Sequence, residues 1–228
     1  MKKGIILITA FLLMAVVGVV NAKSKVTEDI TAELVLQDGT KVSGKLLDYD
    51  ETGIYFAMHE FKIYNIKSVT IGASTGGKGV KYDADKAKSL KLTNKGESVE
   101  YLSLYAVKNL TYPRNLRARN HRTFWRVIYK GKNVLGFGSY AQSNYMTMPG
   151  HHVIEQSYAY SYCLKDDDVT VTYLIPEQGI VVGLKSAIKL CFERFPKMVE
   201  YLQSKDFTLK AAVENPLSLL KVLENEIK

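Results

Sequence analysis

The sequence predicts an α+β protein that is mostly antiparallel β, with two related small β-units, a β-meander and two or three C-terminal helices. One observation is a repeat: the segment Ile63–Ile71 returns 41 residues later as Leu104–Tyr112, with Tyr, Lys and Thr at matching places. Two copies indicate a duplicated unit, because a solenoid needs three or more. A second observation is a series of short β-prone runs separated by Gly-containing turns. The third is a change of apolar period at Lys185, where hydrophobic residues begin to recur at three- and four-residue steps, as in a helix.

Residues 1–22 are predicted to be a secretory signal peptide. Lys2-Lys3 is a charged start, residues 4–20 are almost wholly apolar, and Val20-Asn21-Ala22 is typical of a cleavage site. The alternative is a retained membrane anchor, but an apolar run of roughly 17 residues is at the low limit for spanning a bilayer. Cleavage would lower the net charge from +8 by two lysines to about +6, which by itself indicates no nucleic-acid partner. We therefore expect an exported protein, periplasmic or associated with the cell surface, with no transmembrane span after cleavage.

Residues 23–72 are predicted to form the first β-unit. Asp38-Gly39 lies between two β-prone runs, and Asp-Gly is a strong hairpin signal because Gly supplies the positive φ of tight turns. The predicted strands of this unit are 31–36, 41–48, 54–58, 61–64 and 67–71.

Two stretches resemble known groups of exported bacterial proteins. The pattern LVLQDGTKVSGKLLDYDETGIYFA…IYNIKSVTI, within residues 31–71, resembles a small β-barrel pattern in which an Asp-Gly turn leads to a Gly-Lys strand and a closing Ile-x-x-Ile segment. The Phe-Pro-x-Met-Val-x-Tyr-Leu core of residues 189–202 is similar to the helical tail of uncharacterised envelope proteins of Gram-negative bacteria. These resemblances imply a fold and a location, and they carry no activity.

Residues 73–113 are predicted to be a Gly-rich linker and the second β-unit. Residues 72–79 contain four Gly, which indicates a flexible connection. A phosphate-cradling loop is the alternative, but the stretch lacks the Gly-Lys-Ser/Thr ending and the following helix of a P-loop. A second hairpin is predicted over 90–102, with Asn94-Lys95-Gly96 as its turn.

Residues 114–184 are predicted to form the β-meander, with strands at 123–129, 134–140, 158–162 and 169–175 and a polar loop over 141–153. His151 and His152 in that loop invite a metal interpretation. Adjacent residues of a strand point to opposite faces, and no other ligand stands at metal-site spacing. Asp166-Asp167-Asp168 is predicted to be a turn, because a calcium loop needs spaced acids. We expect no metal and no cofactor.

The Arg-rich segment (residues 114–126) is the first candidate binding site. It holds five of the six arginines of the chain, with no acid between Pro113 and Lys132. Arg binds phosphate and carboxylate through two parallel hydrogen bonds, and interleaved aromatic residues can stack on sugar rings. The alternative is a solvated loop leading into a strand whose aromatic residues belong to the core. The candidate residues are Arg114, Arg117, Arg119, Arg122, Trp125 and Arg126.

The Tyr face (Tyr158, Tyr160 and Tyr162) is the second candidate. Strict alternation in a strand places the three rings on one face. Such a face can stack on sugars, or it can be a half-buried packing surface whose hydroxyls reach water.

Cys163 and Cys191 are the only cysteines, and two alternatives remain open for them. An exported chain can form a Cys163–Cys191 disulfide. Buried free thiols are the other alternative, because Cys191 lies in the apolar pattern of the predicted helices over 185–228.

These features predict a binding or interaction protein of the bacterial cell envelope rather than an enzyme. The expected partner is an envelope glycan, an anionic lipid headgroup or an acidic protein. One alternative is a hydrolase of envelope polymers, with His151 or His152 as general acid or base. Another is a structural subunit whose C-terminal helices pack on a partner.

Overall fold

The computed structural model describes residues 23–26, 29–51, 66–72, 78–107, 118–148, 151–165, 168–174 and 183–227. The α+β class is confirmed, with a mostly antiparallel sheet followed by C-terminal helices. The strands are β1 (Lys23–Lys25), β2 (Thr31–Leu36), β3 (Lys41–Glu51), β4 (Ile66–Gly72), β5 (Val80–Asp83), β6 (Ala87–Asn94), β7 (Glu97–Val107), β8 (Ala118–Lys130), β9 (Val134–Met148), β10 (His151–Leu164) and β11 (Thr170–Tyr173).

These strands form one sheet in the order β1-β3-β2-β6-β7-β11-β10-β9-β8-β4-β5, with further pairing of β3 with β4 and of β7 with β8. All neighbours are antiparallel except β7 and β11. The sequence left open whether the β-units make one sheet or two small barrels, and the described strands make one continuous sheet. The predicted strands at 54–58 and 61–64 lie outside the described residues.

Local turn chemistry sets the first two hairpins. Gly39 takes φ of 89° between β2 and β3, and the Asp38 carboxylate accepts the Thr40 N–H at 2.8 Å. Lys95 and Gly96 take φ of 48° and 88° between β6 and β7. Two consecutive positive φ values are those of a type I′ turn, whose twist matches that of the strands. Both predicted hairpins are confirmed.

The extra pairings close two rings of strands that share β7 and β8. The first ring contains β2, β3, β4, β8, β7 and β6, and it closes where Ile66 pairs with Phe124. The second contains β7, β8, β9, β10 and β11. The shared ladder is therefore buried on both faces. Tyr101 and Phe124 belong to the core of the first ring, whereas Leu104 and Trp125 belong to the core of the second.

A 3-10 helix at Ala84–Lys86 connects β5 to β6 beside the shared ladder. Ala84 is fully buried in the first core, and its carbonyl accepts the Ser103 hydroxyl at 2.6 Å. Since Ser103 lies in β7, this contact ties the helix to the wall between the rings.

The C-terminal helices form a third core, the helical cluster, on the outer faces of β9 and β10. The predicted helices are confirmed, and α2 has Pro196 in its first turn as expected. One further helix, the six-residue segment Leu209–Glu214, was not predicted. The helices are α1 (Leu184–Cys191), α2 (Pro196–Gln203), α3 (Leu209–Glu214) and α4 (Ser218–Glu226).

Gly136 allows α4 to approach β9 closely. A Cβ at that position would lie 2.5 Å from Leu220 Cδ1 and 2.9 Å from Tyr129 Cβ. The Glu224 carboxylate also accepts the backbone N–H groups of Asn133 and Val134, at 2.6 and 3.1 Å. The helical cluster therefore packs its apolar face against β9 and β10 of the same chain.

Residues 141–153 correct the sequence prediction. They were expected to be a polar loop, but 141–148 belong to β9 and 151–153 to β10. The ladder forms because backbone groups pair whatever the side chains are. β9 and β10 continue for nine residue pairs beyond Gly138 and Tyr160. We call this ribbon, residues 139–148 and 151–159, the arm.

The repeated segments occupy different places in the sheet. Most of the first copy is the separate strand β4, whereas the described part of the second copy is the end of β7. Residues 63–65 and 108–112 lie outside the described residues, so the division of the chain into 23–72, 73–113 and 114–184 stays a prediction.

Candidate anion-binding segment

The Arg-rich segment enters the sheet through β8. Arg114 and Arg117 lie outside the described residues, and Arg119 occupies a strand position in β8. The structure describes the side chains of Arg122 and Arg126, which are both partly buried. Both residues face the first ring with Phe124, because they pair directly with Tyr105 and Tyr101 of β7.

Arg122 is held in a fixed orientation. Its Nη1 donates to the Ser103 carbonyl at 3.0 Å, and its Cζ lies 4.7 Å from the centre of the Tyr105 ring. Stacking on an aromatic ring favours the cation and reduces the side-chain entropy that a ligand would have to remove. A guanidinium has five N–H donors. One carbonyl therefore leaves capacity for a carboxylate or phosphate.

Asp85 joins the 3-10 helix to this part of β8. Its carboxylate accepts the Arg122 backbone N–H at 2.7 Å, and His121 Nδ1 lies 3.0 Å from its other oxygen. Burial opposes ionisation of Asp85, but the Arg122 N–H and His121 outweigh it, so the pKa of Asp85 lies below its ordinary value. His121 is 77% exposed and Asp85 41%. Asp85 therefore binds the backbone of β8 at Arg122, whereas the Arg122 guanidinium contacts Ser103 and Tyr105.

Trp125 is a correction to the predicted site. It is only 4% exposed, belongs to the core of the second ring, and donates its indole N–H to the Leu104 carbonyl at 3.2 Å. Alternation along β8 places Phe124 in the core of the first ring of strands and Trp125 in the core of the second. Because both side chains are buried, neither can stack on a ligand. The alternative interpretation, a strand with core aromatics, is correct for this part of the segment.

The Tyr face is also corrected at Tyr162. That side chain is fully buried, stacks on Phe192 with ring centres 5.2 Å apart, and donates its hydroxyl to the Cys191 carbonyl at 2.7 Å. Burial raises the pKa of Tyr162 well above its ordinary value. Tyr160 is half-buried against the helical cluster. Tyr158 holds the next position of the same face, in the arm opposite Tyr140.

No match was found for this chain among protein-family models, curated proteins or solved structures. Within the described residues, no helix is long and apolar enough to cross a membrane. The same part of the chain contains no group of three His, Cys, Asp or Glu side chains that could hold a metal ion.

Cys163 and Cys191 are free and buried. Cys163 lies in the core of the second ring and Cys191 in the helical cluster, on opposite sides of β10. The structure therefore contains two buried free thiols and no Cys163–Cys191 disulfide. Burial raises the pKa of each thiol to about 12.

Sequence reasoning missed the two carboxylates that attach the helical cluster and its neighbouring turn to the sheet. Arg194 donates two hydrogen bonds to Asp168, at 2.8 Å for Nη1, and Asp168 also accepts the Leu164 N–H at 2.7 Å. Glu224 lies 91 residues after Asn133, a residue of the turn whose backbone N–H groups the Glu224 carboxylate accepts. No local pattern marks the contacts that join the helical cluster to its surroundings, because Arg194 lies 26 residues from Asp168 and Asn133 lies 91 residues from Glu224.

Proposed function

We propose that this chain is an exported binding protein of the bacterial cell envelope, which holds an anionic partner through the Arg-rich segment. The observation that carries the proposal is the placement of Arg122, whose guanidinium is positioned by Ser103 and Tyr105 at one end of the shared ladder. The chemistry is binding rather than catalysis, because a positioned guanidinium recognises an anion without a reacting group.

The neighbouring sequence supports the same ligand class. Arg114, Arg117 and Arg119 precede Arg122, and no acid interrupts the run from Pro113 to Lys132. Clustered cations raise the local concentration of an anionic partner and speed its association. Export rests on residues 1–22, which have the pattern of a signal peptide.

Retention on a polyanion resin tests this proposal. We would use the chain from Lys23 to Lys228, which contains every described residue, and replace Arg114, Arg117, Arg119 and Arg122 by Gln. We expect wild-type retention to fall steeply with salt and the variant to elute at much lower salt, because exposed charges are screened within about 10 Å at 0.1 M salt.

A charge-matched control separates the segment from net charge. Lys88, Lys165, Lys205 and Lys221 are exposed and belong to other parts of the molecule, and replacing all four by Gln removes the same charge. The control should elute close to wild type. Equal loss in both variants would mean that the resin measures net charge only, and unchanged retention of the Arg variant would remove the segment from the function.

A further inference from the structure

Asp85, His121 and Arg122 form a small charged cluster where the 3-10 helix meets β8. One oxygen of the Asp85 carboxylate accepts the Arg122 backbone N–H at 2.7 Å, and His121 Nδ1 lies 3.0 Å from the other oxygen. Because a carboxylate only accepts hydrogen bonds, Nδ1 carries the hydrogen of this contact, and Nε2 remains to take up a second proton. The cluster therefore joins a titratable ring to the residue that carries the proposed function.

An irregularity in β8 makes this arrangement possible. Between the pairs Tyr105–Arg122 and Val107–Ala118, β7 advances by two residues and β8 by four. Extra residues in one strand form a bulge, which changes the direction of the side chains next to it. His121 lies in this bulge and Arg122 at its edge. The two consecutive residues can therefore contact the same carboxylate, one through its ring and the other through its backbone N–H.

The charge of the Asp85–His121 pair depends on the protonation of His121. Burial raises the pKa of Asp85, but the Arg122 N–H, His121 and the charge of Arg122 outweigh burial, so this pKa lies below its ordinary value. Asp85 is therefore a carboxylate at neutral and mildly acidic pH. Histidine side chains change charge between about pH 5 and 8, and His121, at 77% exposed, exchanges protons directly with water. The pair carries one negative charge when His121 is neutral and none when His121 is protonated.

The elements around His121 carry charges of both signs. The charged or titratable residues on these elements are Lys67 of β4, Asp83 of β5, Asp85 and Lys86 of the 3-10 helix, Tyr105 of β7 and Arg122 of β8 itself. Asp, Lys, Tyr and Arg side chains have ordinary pKa values outside the range of about 5 to 8. A change of pH within that range therefore acts on this cluster through His121.

The Asp85 charge opposes an anion at Arg122 unless His121 is protonated. An anion on the Arg122 guanidinium would lie close to the Asp85 carboxylate, since the charges of Arg122 and Asp85 already interact, and like charges repel. A proton on His121 cancels the carboxylate charge and removes this repulsion. By the same linkage, a bound anion favours uptake of the proton.

We propose that the Asp85–His121 pair makes anion binding at Arg122 depend on pH, with tighter binding when His121 is protonated. This inference rests on the proposed anion binding and adds its regulation. The device needs no movement of the backbone, because the change in charge takes place on a side chain that already contacts Asp85.

Calorimetric titration with soluble dextran sulfate at about pH 5.5 and about pH 7.5 tests the inference, with the chain from Lys23 to Lys228. Sulfate esters stay ionised at both pH values, so the charge of the probe does not change. We expect wild type to bind about two- to fivefold more tightly at the lower pH, which is the effect of one unit charge at roughly 4–8 Å in water. The salt concentration is kept below about 0.1 M to limit screening.

Two variants of the pair should move binding in opposite directions. Asp85→Asn keeps an oxygen for the Arg122 N–H and removes the charge, so at the higher pH it should bind about two- to fivefold more tightly than wild type. His121→Gln removes the titrating ring and leaves Asp85 charged, so at both pH values it should bind as wild type does at the higher pH. Glu214→Gln removes an exposed acid from α3 and should bind as wild type. His152→Gln removes another histidine and should keep the full pH dependence.

The outcomes separate this inference from the proposed function. If Asp85 serves only to hold β8, Asp85→Asn binds no more tightly than wild type at the higher pH, and that result overturns the inference. So does a pH dependence that persists in His121→Gln. Equal wild-type binding at both pH values would overturn the inference and leave anion binding intact. No wild-type binding at either pH, or unchanged binding in Arg122→Gln, would remove the proposed function as well.

Proton NMR of wild type supplies a measurement that does not depend on the folding of Asp85→Asn. The His121 ring resonance is the one that His121→Gln lacks. In the presence of dextran sulfate this resonance should titrate at higher pH than in its absence, because the linkage between proton and anion is reciprocal. A titration that dextran sulfate leaves unchanged would overturn the inference.

Discussion

β9 and β10 form a single hairpin that has two different environments. At the base, residues 134–138 and 160–164 are covered by the helical cluster on one face and by the second ring on the other. Beyond Gly138 and Tyr160 the same two strands continue as the arm. The base supplies large apolar residues to both faces, Val134 and Tyr162 to the helical cluster and Phe137 to the second ring.

Two kinds of contact hold this long hairpin at its base. Its base is held by tertiary packing and by the attachment of Glu224 to the turn that precedes β9. For the arm, the structure describes the backbone pairing of β9 with β10. Loss of packing in the base should therefore cost the fold much of its stability.

Thiol reactivity gives the largest expected difference between the two halves. Burial raises the pKa of Cys163 and Cys191 from 9.0 to about 12, and each pH unit below the pKa lowers the thiolate fraction about tenfold. Both native thiols should therefore react with iodoacetamide about a thousandfold more slowly than an exposed thiol. The variant Ser143→Cys places one thiol in the arm, and mass spectrometry of timed samples should show a single rapid addition. Two further additions at a similar rate would contradict the burial of the base.

Removal of a core ring from the helical cluster should give the largest loss of stability. Phe192 is fully buried and stacked on Tyr162. Phe192→Ala should lower the free energy of unfolding by about 3–5 kcal/mol, because the cavity adds to the lost burial. Tyr145→Ala in the arm should change it by less than about 1 kcal/mol. Urea denaturation of both variants measures the contrast, and similar losses would mean that the arm is as well packed as the base.

Glu224 should contribute less than the core, through the attachment of α4 to the sheet. Glu224→Ala leaves the N–H groups of Asn133 and Val134 without their acceptor, at a cost of roughly 1–3 kcal/mol. Glu224→Gln keeps one acceptor oxygen and should lose about half as much. Glu214→Ala is a control, because that exposed acid forms a surface ion pair with Lys210, one turn before it on α3, and should change stability by about 0.5 kcal/mol or less. A loss in Glu214→Ala equal to that in Glu224→Ala would show that the backbone contacts of Glu224 are not the cause.

Local sequence signals predicted the elements whose cause is local. The Asp38-Gly39 and Lys95-Gly96 turns were identified because positive φ selects Gly, and α2 was identified because Pro fits a first helical turn. The predicted site residues divided according to side-chain alternation. Arg122 and Trp125 are three positions apart, so one faces the first ring and the other is buried in the second.

Contacts between distant residues could not be predicted from one sequence. Asp85 reaches Arg122 across 37 positions, and closure of the first ring depends on the pairing of Ile66 with Phe124. Residues 141–153 were interpreted as a loop because their Gln, Ser and Asn residues lack the alternation that marks a half-buried strand.

Asp168 should give the smallest effect, which depends on pH. Burial opposes its ionisation, but the hydrogen bonds from Arg194 and the Leu164 N–H outweigh burial, so its pKa in the folded protein lies below the ordinary 3.8. The charged form therefore stabilises the fold fully above the ordinary pKa, and this stabilisation is lost as pH falls through the lower folded pKa. Asp168→Asn should be less stable than wild type by about 1–2 kcal/mol at neutral pH, because one of the two residues of the pair remains partly exposed. Urea denaturation at a series of pH values should show the two proteins converging in acid. Arg194→Lys keeps the charge and loses the two-pronged hydrogen bond, so it should fall between them at neutral pH. A constant difference between wild type and Asp168→Asn at every pH would mean that the carboxylate stabilises the base of the hairpin through its shape rather than its charge.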